Sequence, residues 1–289
     1  MHLFTVDVEE YFQVSAFDKL VSRGAWGQYP GRLDRSVELL LELLGRRGAF
    51  GTFFTLGWVA ERYPALVRRI ADAGHEIASH SFWHRRVTTL TRDEFREDVR
   101  SSKQALETAS GRAVLGFRAP SFSIRPGGEW AFDVLLAEGY RYDSSVFPIR
   151  RPDYGYPGAP TTPYLVERAA GVLLEVPLAT TRVAGLRLPA AGGAYLRQLP
   201  YGLTRRAFAE HERRGDPATF YVHPWELDPE QPRLAVPWLT RLRHYRGLDR
   251  MQARVERLLG EFAFTSVARR FGLDPAKPDA GVRAALARS

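Results

Sequence analysis

The stretch Leu3-Phe4-Thr5-Val6-Asp7-Val8-Glu9-Glu10 decides the fold. Its first six residues are β-rich and predict a strand from Leu3 to Val8, and the chain then runs directly into further acid. Moving outward, Leu33 to Leu44 carries apolar residues at helical spacing and stops at Gly45 and Gly48. Phe50 to Leu56 is β-rich, Trp58 to Ala73 is helical up to Gly74, and Glu76 to Ser79 is a short strand. Thr91-Arg92-Asp93-Glu94 is a capping-box pattern, opening a helix that runs to about Ser110 before Gly111. Val114 to Phe117 predicts a strand, Trp130 to Glu138 a helix, and Tyr140 to Ser144 a short extended segment. This β-α-β-α order argues for an α/β fold with a parallel sheet. Seven or so strands fit either an open doubly wound sheet or a closed barrel. In both, chemistry sits at the carboxyl ends of the strands. The first strand delivers Asp7, Glu9 and Glu10 there.

The remaining pattern is less regular. Residues 146–170, rich in Pro, Gly and Tyr, read as loop. Val172 to Pro177 and Thr219 to His223 predict two later strands with a helix, Arg205 to Arg214, between them. Met251 to Phe262 is an amphipathic helix, and an Arg-rich tail that should fray follows it. Across all 289 residues there is no cysteine, so disulfides, thiolate metal sites and a Cys nucleophile are excluded, and any metal must use His, Asp or Glu. The net charge is +8, carried almost wholly by Arg, with three Lys. The arginines are scattered and form no stripe interleaved with aromatics, which argues against nucleic acid. The acidic start lacks the form of a signal peptide, and no apolar run approaches the roughly 20 residues of a membrane span, so a cytoplasmic protein without a membrane span is expected. No G-x-G-x-x-G follows the first strand and no Walker loop occurs.

Polar residues recur at the predicted strand ends: the Asp7 cluster, His80 and His84, Arg118, Asp143, and His223. Histidines four apart after a strand can reach one metal ion, and a carboxylate supplies a third ligand; alternatively one is packed and the other exposed. Asp7 reads as a general base or as a plain ion-pair partner of Arg118. Arg118 would hold the charge and orientation of that carboxylate, or merely form a turn. His223 is a candidate general acid or a satisfied core histidine. Asp143 could hydrogen-bond an imidazole and raise its pKa, or only shape a turn before Ser144.

The ordered set of an acidic first strand, His80-Ser81-Phe82-Trp83-His84, Arg118-Ala119-Pro120, Asp143-Ser144 and Val222-His223 resembles the polysaccharide deacetylase family, also called NodB-homology or carbohydrate esterase family 4. Phe50-Gly51-Thr52-Phe53-Phe54 and the approach Gly74-His75-Glu76-Ile77-Ala78-Ser79 share the likeness. Asp7-Val8-Glu9-Glu10-Tyr11-Phe12 and Gly192-Gly193-Ala194-Tyr195-Leu196-Arg197 further resemble the subfamily of exosortase and exopolysaccharide loci, whose C-terminal extension would account for the residues after about 150, Arg243-His244-Tyr245 included. The resemblance covers roughly Met1 to Leu227. It implies a distorted (β/α) barrel of about seven parallel strands over 1–230, with subfamily insertions in 145–215. A C-terminal helical extension over 231–289 would pack on the barrel. It implies metal-dependent removal of N-acetyl groups from a glycan, either a polysaccharide or a lipid-linked oligosaccharide. By motif, Asp7 would be the base, His80 and His84 metal ligands, Arg118 the group orienting the base, Asp143 the group tuning the acid, and His223 the acid.

One departure stands out. The family has two adjacent aspartates, the second a metal ligand, whereas here Val8 follows Asp7. Side chains alternate along a strand, so Glu9 shares a face with Asp7 and becomes the expected third ligand, with Glu10 in reserve. The ion would be divalent, zinc first among the candidates, and a metal-free site stays open. Tyr11, Trp83, Phe122, Tyr195 and Trp225 are candidates for stacking on sugar, or for core and rim packing. Three other readings remain: an amidohydrolase on a small non-sugar amide, a non-catalytic carbohydrate-binding protein, and a glycosidase, which would leave the His pair unexplained.

Overall fold

The computed structural model describes residues 1–151 and 154–276, together with Arg283 and Leu286. Strands β1 (His2–Val8), β2 (Thr52–Thr55), β3 (Glu76–Ser79), β4 (Gly116–Phe117) and β5 (Tyr142–Asp143) alternate with helices α1 (Leu33–Gly45), α2 (Gly57–Arg62), α3 (Pro64–Asp72), α4 (Arg92–Ser110) and α5 (Trp130–Ala137). The second half contributes a hairpin of β6 (Tyr164–Arg168) and β7 (Gly171–Glu175), and a second of β8 (Thr180–Val183) and β9 (Leu186–Pro189). Helices α6 (Ala194–Gln198) and α7 (Tyr201–Arg214) then lead to β10 (Thr219–Val222). Finally come α8 (Trp238–Tyr245), α9 (Met251–Glu261), β11 (Phe264–Thr265) and α10 (Val267–Phe271).

The parallel strands run in the order β10-β1-β2-β3-β4-β5-β7, with β6 antiparallel outside β7 and β11 beside the start of β1. After β7 the chain bends back. Val176 N–H donates to the Asp143 carbonyl at 2.8 Å, Leu178 N–H to Val146 at 3.1 Å and Ala179 N–H to Thr219 at 3.2 Å. That last bond reaches β10, so irregular backbone closes the ring, and the architecture is a distorted (β/α) barrel. The register keeps the strand ends level: Val8 is opposite Thr55, Thr55 opposite Ser79, Ser79 opposite Phe117, and Phe117 opposite Asp143. Five carboxyl ends therefore open onto one face.

The two-residue period of a strand builds two apolar layers at once. On β2, Phe53 points to the helices, joining Val37, Leu40, Val67 and Val99, while Phe54 points into the barrel with Leu3, Ala78, Tyr142 and Leu174. A third cluster unites Tyr11, Phe12, Phe17 and Trp26 with Trp225, Tyr245 and Leu248, and thereby ties the segment after β1 to the late part of the chain.

Local chemistry explains where the elements stop. Thr91 and Glu94 close the capping box of α4, and Gly111 ends it at φ 66°, a conformation that costs other residues free energy. The helix expected over Trp58 to Ala73 is two helices. Tyr63 precedes Pro64 and is held at φ −130°, ψ 55°, outside the helical region, because a proline ring crowds the residue before it. The loop expected over 146–170 contains β6, whose Tyr164-Leu165-Val166 edge pairs with Leu173-Leu174-Glu175. The helix expected from Arg205 begins at Tyr201. Of the tail expected to fray, residues 277–282, 284–285 and 287–289 lie outside the described set.

Candidate active site

Asp7 sits near the end of β1, buried, with its carboxylate gripped by Arg118 from the turn after β4. Arg118 Nη1 donates to Asp7 Oδ1 at 2.6 Å and to Thr5 Oγ1 at 2.8 Å. Its Nε and Nη2 donate to the carbonyl and hydroxyl of Ser144 at 3.1 and 2.8 Å, and the guanidinium carbon stands 4.1 Å from the centre of the Phe54 ring. Every face of this wholly buried cation thus has a partner. Asp7 Oδ1 is thereby committed, and Oδ2 points toward His223, 3.9 Å from its Nε2.

Glu9, His80 and His84 bring one ligand atom each to within 4.8 Å of one another, and all three are buried. His80 Nδ1 lies 2.8 Å from the Arg118 carbonyl, to which it donates, so its Nε2 lone pair faces the group. Burial pulls the His80 pKa down to about 4, against the pull of Asp7 and Glu9, which keeps the ring neutral and able to ligate at pH 7. Burial alone would raise Glu9, yet the imidazoles of His84, His223 and His80 outweigh it and hold the carboxyl at about 2. Glu9 Oε2 approaches His84 Nε2 at 2.9 Å without making a hydrogen bond of acceptable geometry. Two imidazoles and a carboxylate with an unbonded buried oxygen form a donor set suited to a divalent cation with an open coordination position.

The loop that carries the histidines is strained: Ser81 and His84 have φ of 68° and 51°. One face of α4 holds it. Asp98, buried, accepts from the backbone N–H of Phe82 at 2.8 Å, and four residues on Ser102 donates to the Ser81 carbonyl at 3.0 Å.

His223 follows β10, and its Nε2 lies 3.7 Å from Glu9 Oε1. Its Nδ1 is 2.9 Å from Glu226 Oε2, which also accepts the His223 backbone N–H at 3.1 Å. Glu226 Oε1 in turn accepts from Arg197 Nε at 2.6 Å, and Arg197 Nη1 donates to the carbonyls of His244 and Arg246 at 3.0 and 2.7 Å. Burial lowers the His223 pKa, but the Glu226 bond and the charges of Glu226, Glu9 and Asp7 raise it to about 9. Trp225 is stacked between the His223 and His244 rings at 5.0 and 4.2 Å, and its indole N–H donates to Glu9 Oε1 at 3.1 Å.

Several expected site residues stand elsewhere. Asp143 does not touch His223; its carboxylate accepts from the backbone N–H and hydroxyl of Ser145 at 2.8 and 2.7 Å. Burial pushes Asp143 up, and it pushes the adjacent Glu175 up further, with the charge of Asp143 adding to the effect. Glu10 is no reserve ligand, because its Oε1 accepts from the N–H groups of Arg32 and Leu33 at the start of α1, at 2.8 and 3.3 Å. Phe122 and Trp225 line the cavity above the site, about 450 Å³ in volume, together with Tyr154, Tyr221 and Arg243. Tyr11 is buried in the third cluster, Tyr195 lies behind Tyr154, and Trp83 borders a separate open groove of about 970 Å³ along α4. Glu226 and Arg197 were not singled out for roles in the site. The signal for Glu226 was present in His223-Pro224-Trp225-Glu226, a carboxylate three residues after a helix-opening position.

Glu226 has a measurable effect of its own. In chelator-treated protein, NMR should find His223 titrating near pH 9, and Glu226→Gln should bring it down toward the ordinary 6.5. A raised folded-state pKa of His223 gives stability that is fully present below 6.5 and fades as pH climbs through about 9. Glu226, held down at about 2 against the burial that would raise it, gives stability present above 4.5 and lost as pH falls through about 2. The stability gap between wild type and variant should therefore be widest between pH 4.5 and 6.5. An unchanged His223 titration would sever the link.

Residues 26–126 match the family model described as polysaccharide deacetylase, and residues 144–272 match one described as a domain of unknown function (DUF3473). The first region is thus similar to the polysaccharide deacetylase family. It supplies His80, His84 and Arg118; the second supplies Arg197, His223 and Glu226; Asp7 and Glu9 precede both. The peptidoglycan-N-acetylglucosamine deacetylase of Bacillus cereus is 33% identical over 81 residues, 28% of this chain and 30% of that protein, so the chain spans less than a third of this relative. In fold, the chain is similar to a protein from Mycobacterium smegmatis assigned as a polysaccharide deacetylase, with a TM-score of 0.62, 20% identity, and 92% of this chain and 88% of that one covered. It is equally similar to PuuE allantoinase, with a TM-score of 0.61, 16% identity, and coverage of 99% and 89%.

Proposed function

We propose that this chain is a metal-dependent deacetylase that removes N-acetyl groups from a polysaccharide or lipid-linked oligosaccharide. The observation that carries the reading is the meeting of Asp7 Oδ2 and His223 Nε2, 3.9 Å apart, beside the Glu9-His80-His84 group. Binding alone needs neither a base nor an acid. A divalent ion in that group, zinc first among the candidates, would lower the pKa of water towards about 7 and polarise the acetyl carbonyl. Asp7, its Oδ1 occupied by Arg118, takes the proton of the attacking water at Oδ2. His223, protonated through Glu226, donates from Nε2 to the departing amine nitrogen. Trp225 and Phe122 offer flat apolar surface for a sugar ring, and Trp225 also fixes Glu9. The relative from Bacillus cereus, named for N-acetylglucosamine, supports the substrate class.

The test pairs metal analysis of the purified protein with acetate release from N-acetylglucosamine oligomers. The expected result is about one divalent ion per chain, turnover lost with chelator, and turnover restored on adding the ion back. Acetate release indifferent to chelation would overturn metal dependence. A cavity of about 450 Å³ also admits a small non-sugar amide, the second reading. Turnover that ignores oligomer length would favour it.

A further inference from the structure

Helix α8 is buried at its C-terminal end and bare before it. At that end, His244 and Tyr245 are buried. His244 stacks on Trp225 at 4.2 Å, the Tyr245 hydroxyl accepts from Leu234 N–H at 2.9 Å, and Arg197 holds the carbonyl of His244. The helix is therefore fixed to the cavity wall, to which it contributes Thr240, Arg243 and His244. Ahead of them, Trp238 is 71% exposed, Leu239 49% and Leu242 47%, and these are among the few large apolar side chains left in solvent among the described residues. At 3.6 residues per turn they span an arc of about 100°, with Arg241 on one flank and Arg243 on the other. Arg233, Arg246 and Arg250 are exposed in the same segment, where the only exposed acid is Asp249.

We infer that this face docks on the surface of an anionic lipid bilayer. An apolar arc flanked by cations, with an exposed tryptophan, fits the boundary between lipid headgroups and acyl chains. Charge complementarity selects that occupant. A second copy seated on the same face would set one cluster of five arginines against another, whereas anionic headgroups neutralise it. No described helix is long and apolar enough to cross a membrane. With α8 forming part of the cavity wall, docking would hold the cavity beside the headgroups. Where the proposed deacetylation holds, the glycan would be one presented at a membrane surface.

Flotation of the full chain with vesicles tests this. Wild type should float with vesicles of phosphatidylcholine and phosphatidylglycerol at low ionic strength. It should be released by about 0.5 M salt and stay behind with phosphatidylcholine alone. The combined Trp238→Ser, Leu239→Ser and Leu242→Ser variant changes only exposed side chains outside the cavity, so it should still deacetylate soluble oligomers while its vesicle-bound fraction falls about tenfold. Trp238→Phe should retain binding. Wild type that fails to float, a triple variant that floats like wild type, or a concentration-dependent dimer that the triple variant abolishes without any vesicle binding would each overturn the inference. Vesicle binding that behaves as expected in a protein without deacetylase activity would support the docking surface and count only against the proposed chemistry.

Discussion

Asp7→Asn should lower turnover of an N-acetylated oligosaccharide by about 10²- to 10⁴-fold, the range a positioned general base supplies, while metal content stays close to wild type and the fold survives at a lower melting temperature, because the buried Arg118 loses its counter-charge. The separation follows from the geometry. Asparagine keeps an oxygen where Oδ1 receives Arg118, and Arg118 keeps its bonds to Thr5 and Ser144 and its place over Phe54. What the amide lacks is a basic oxygen toward His223. Steady-state acetate release beside metal analysis and thermal melting would check it. An Asn variant with wild-type turnover removes Asp7 from the role of base and with it the observation on which the proposed function stands.

Arg118→Met should damage the fold more than Asp7→Asn does, as well as the rate. It strands the Asp7 carboxylate, 2% exposed, without its cation, and breaking a buried pair from one side costs about 3–5 kcal/mol. The Ser144 hydroxyl and carbonyl lose donors at the same time. Chemical denaturation should show the loss in its midpoint. Adding Asp7→Asn to Arg118→Met should recover part of it, because the stranded charge is gone. If Arg118→Met unfolds at the wild-type denaturant concentration, the pair contributes no net stability and only aims the carboxylate.

Much of this arrangement was legible before any coordinates. The alternation of side chains along β1 predicts that Asp7 and Glu9 share a face, and the structure puts Glu9 with His80 and His84. Arg118 was readable as a partner of Asp7 because both end parallel strands, and parallel strands end together. What stayed hidden depended on elements meeting from afar. Asp143 looked like a partner for an imidazole, but β7 places Glu175 beside it, and nothing local in either sequence predicts that neighbour. Arg197 reaches Glu226 with its guanidinium pinned by carbonyls at and just beyond the end of α8. Tyr11 looked available to substrate from its place beside the acids, but Phe12, Trp26 and Tyr245 enclose it. Strand β6 was obscured by the Pro- and Gly-rich composition of the residues before it.

The strand that bears Asp7 and leads into Glu9 is flanked on one side by β2, made soon afterwards, with β11 beside its start on that same side, and on the other by β10, more than 200 residues downstream. During synthesis, then, the residue read as the base and one candidate ligand emerge about 200 residues ahead of β10 and β11, the neighbours that complete their strand's pairing. Such distant pairings are slow to form and leave an apolar edge waiting. A nascent chain arrested between residues 126 and 144 would carry the histidine pair without His223. Catalytic competence should therefore appear late and abruptly, once Phe264 and Thr265 have cleared the ribosome.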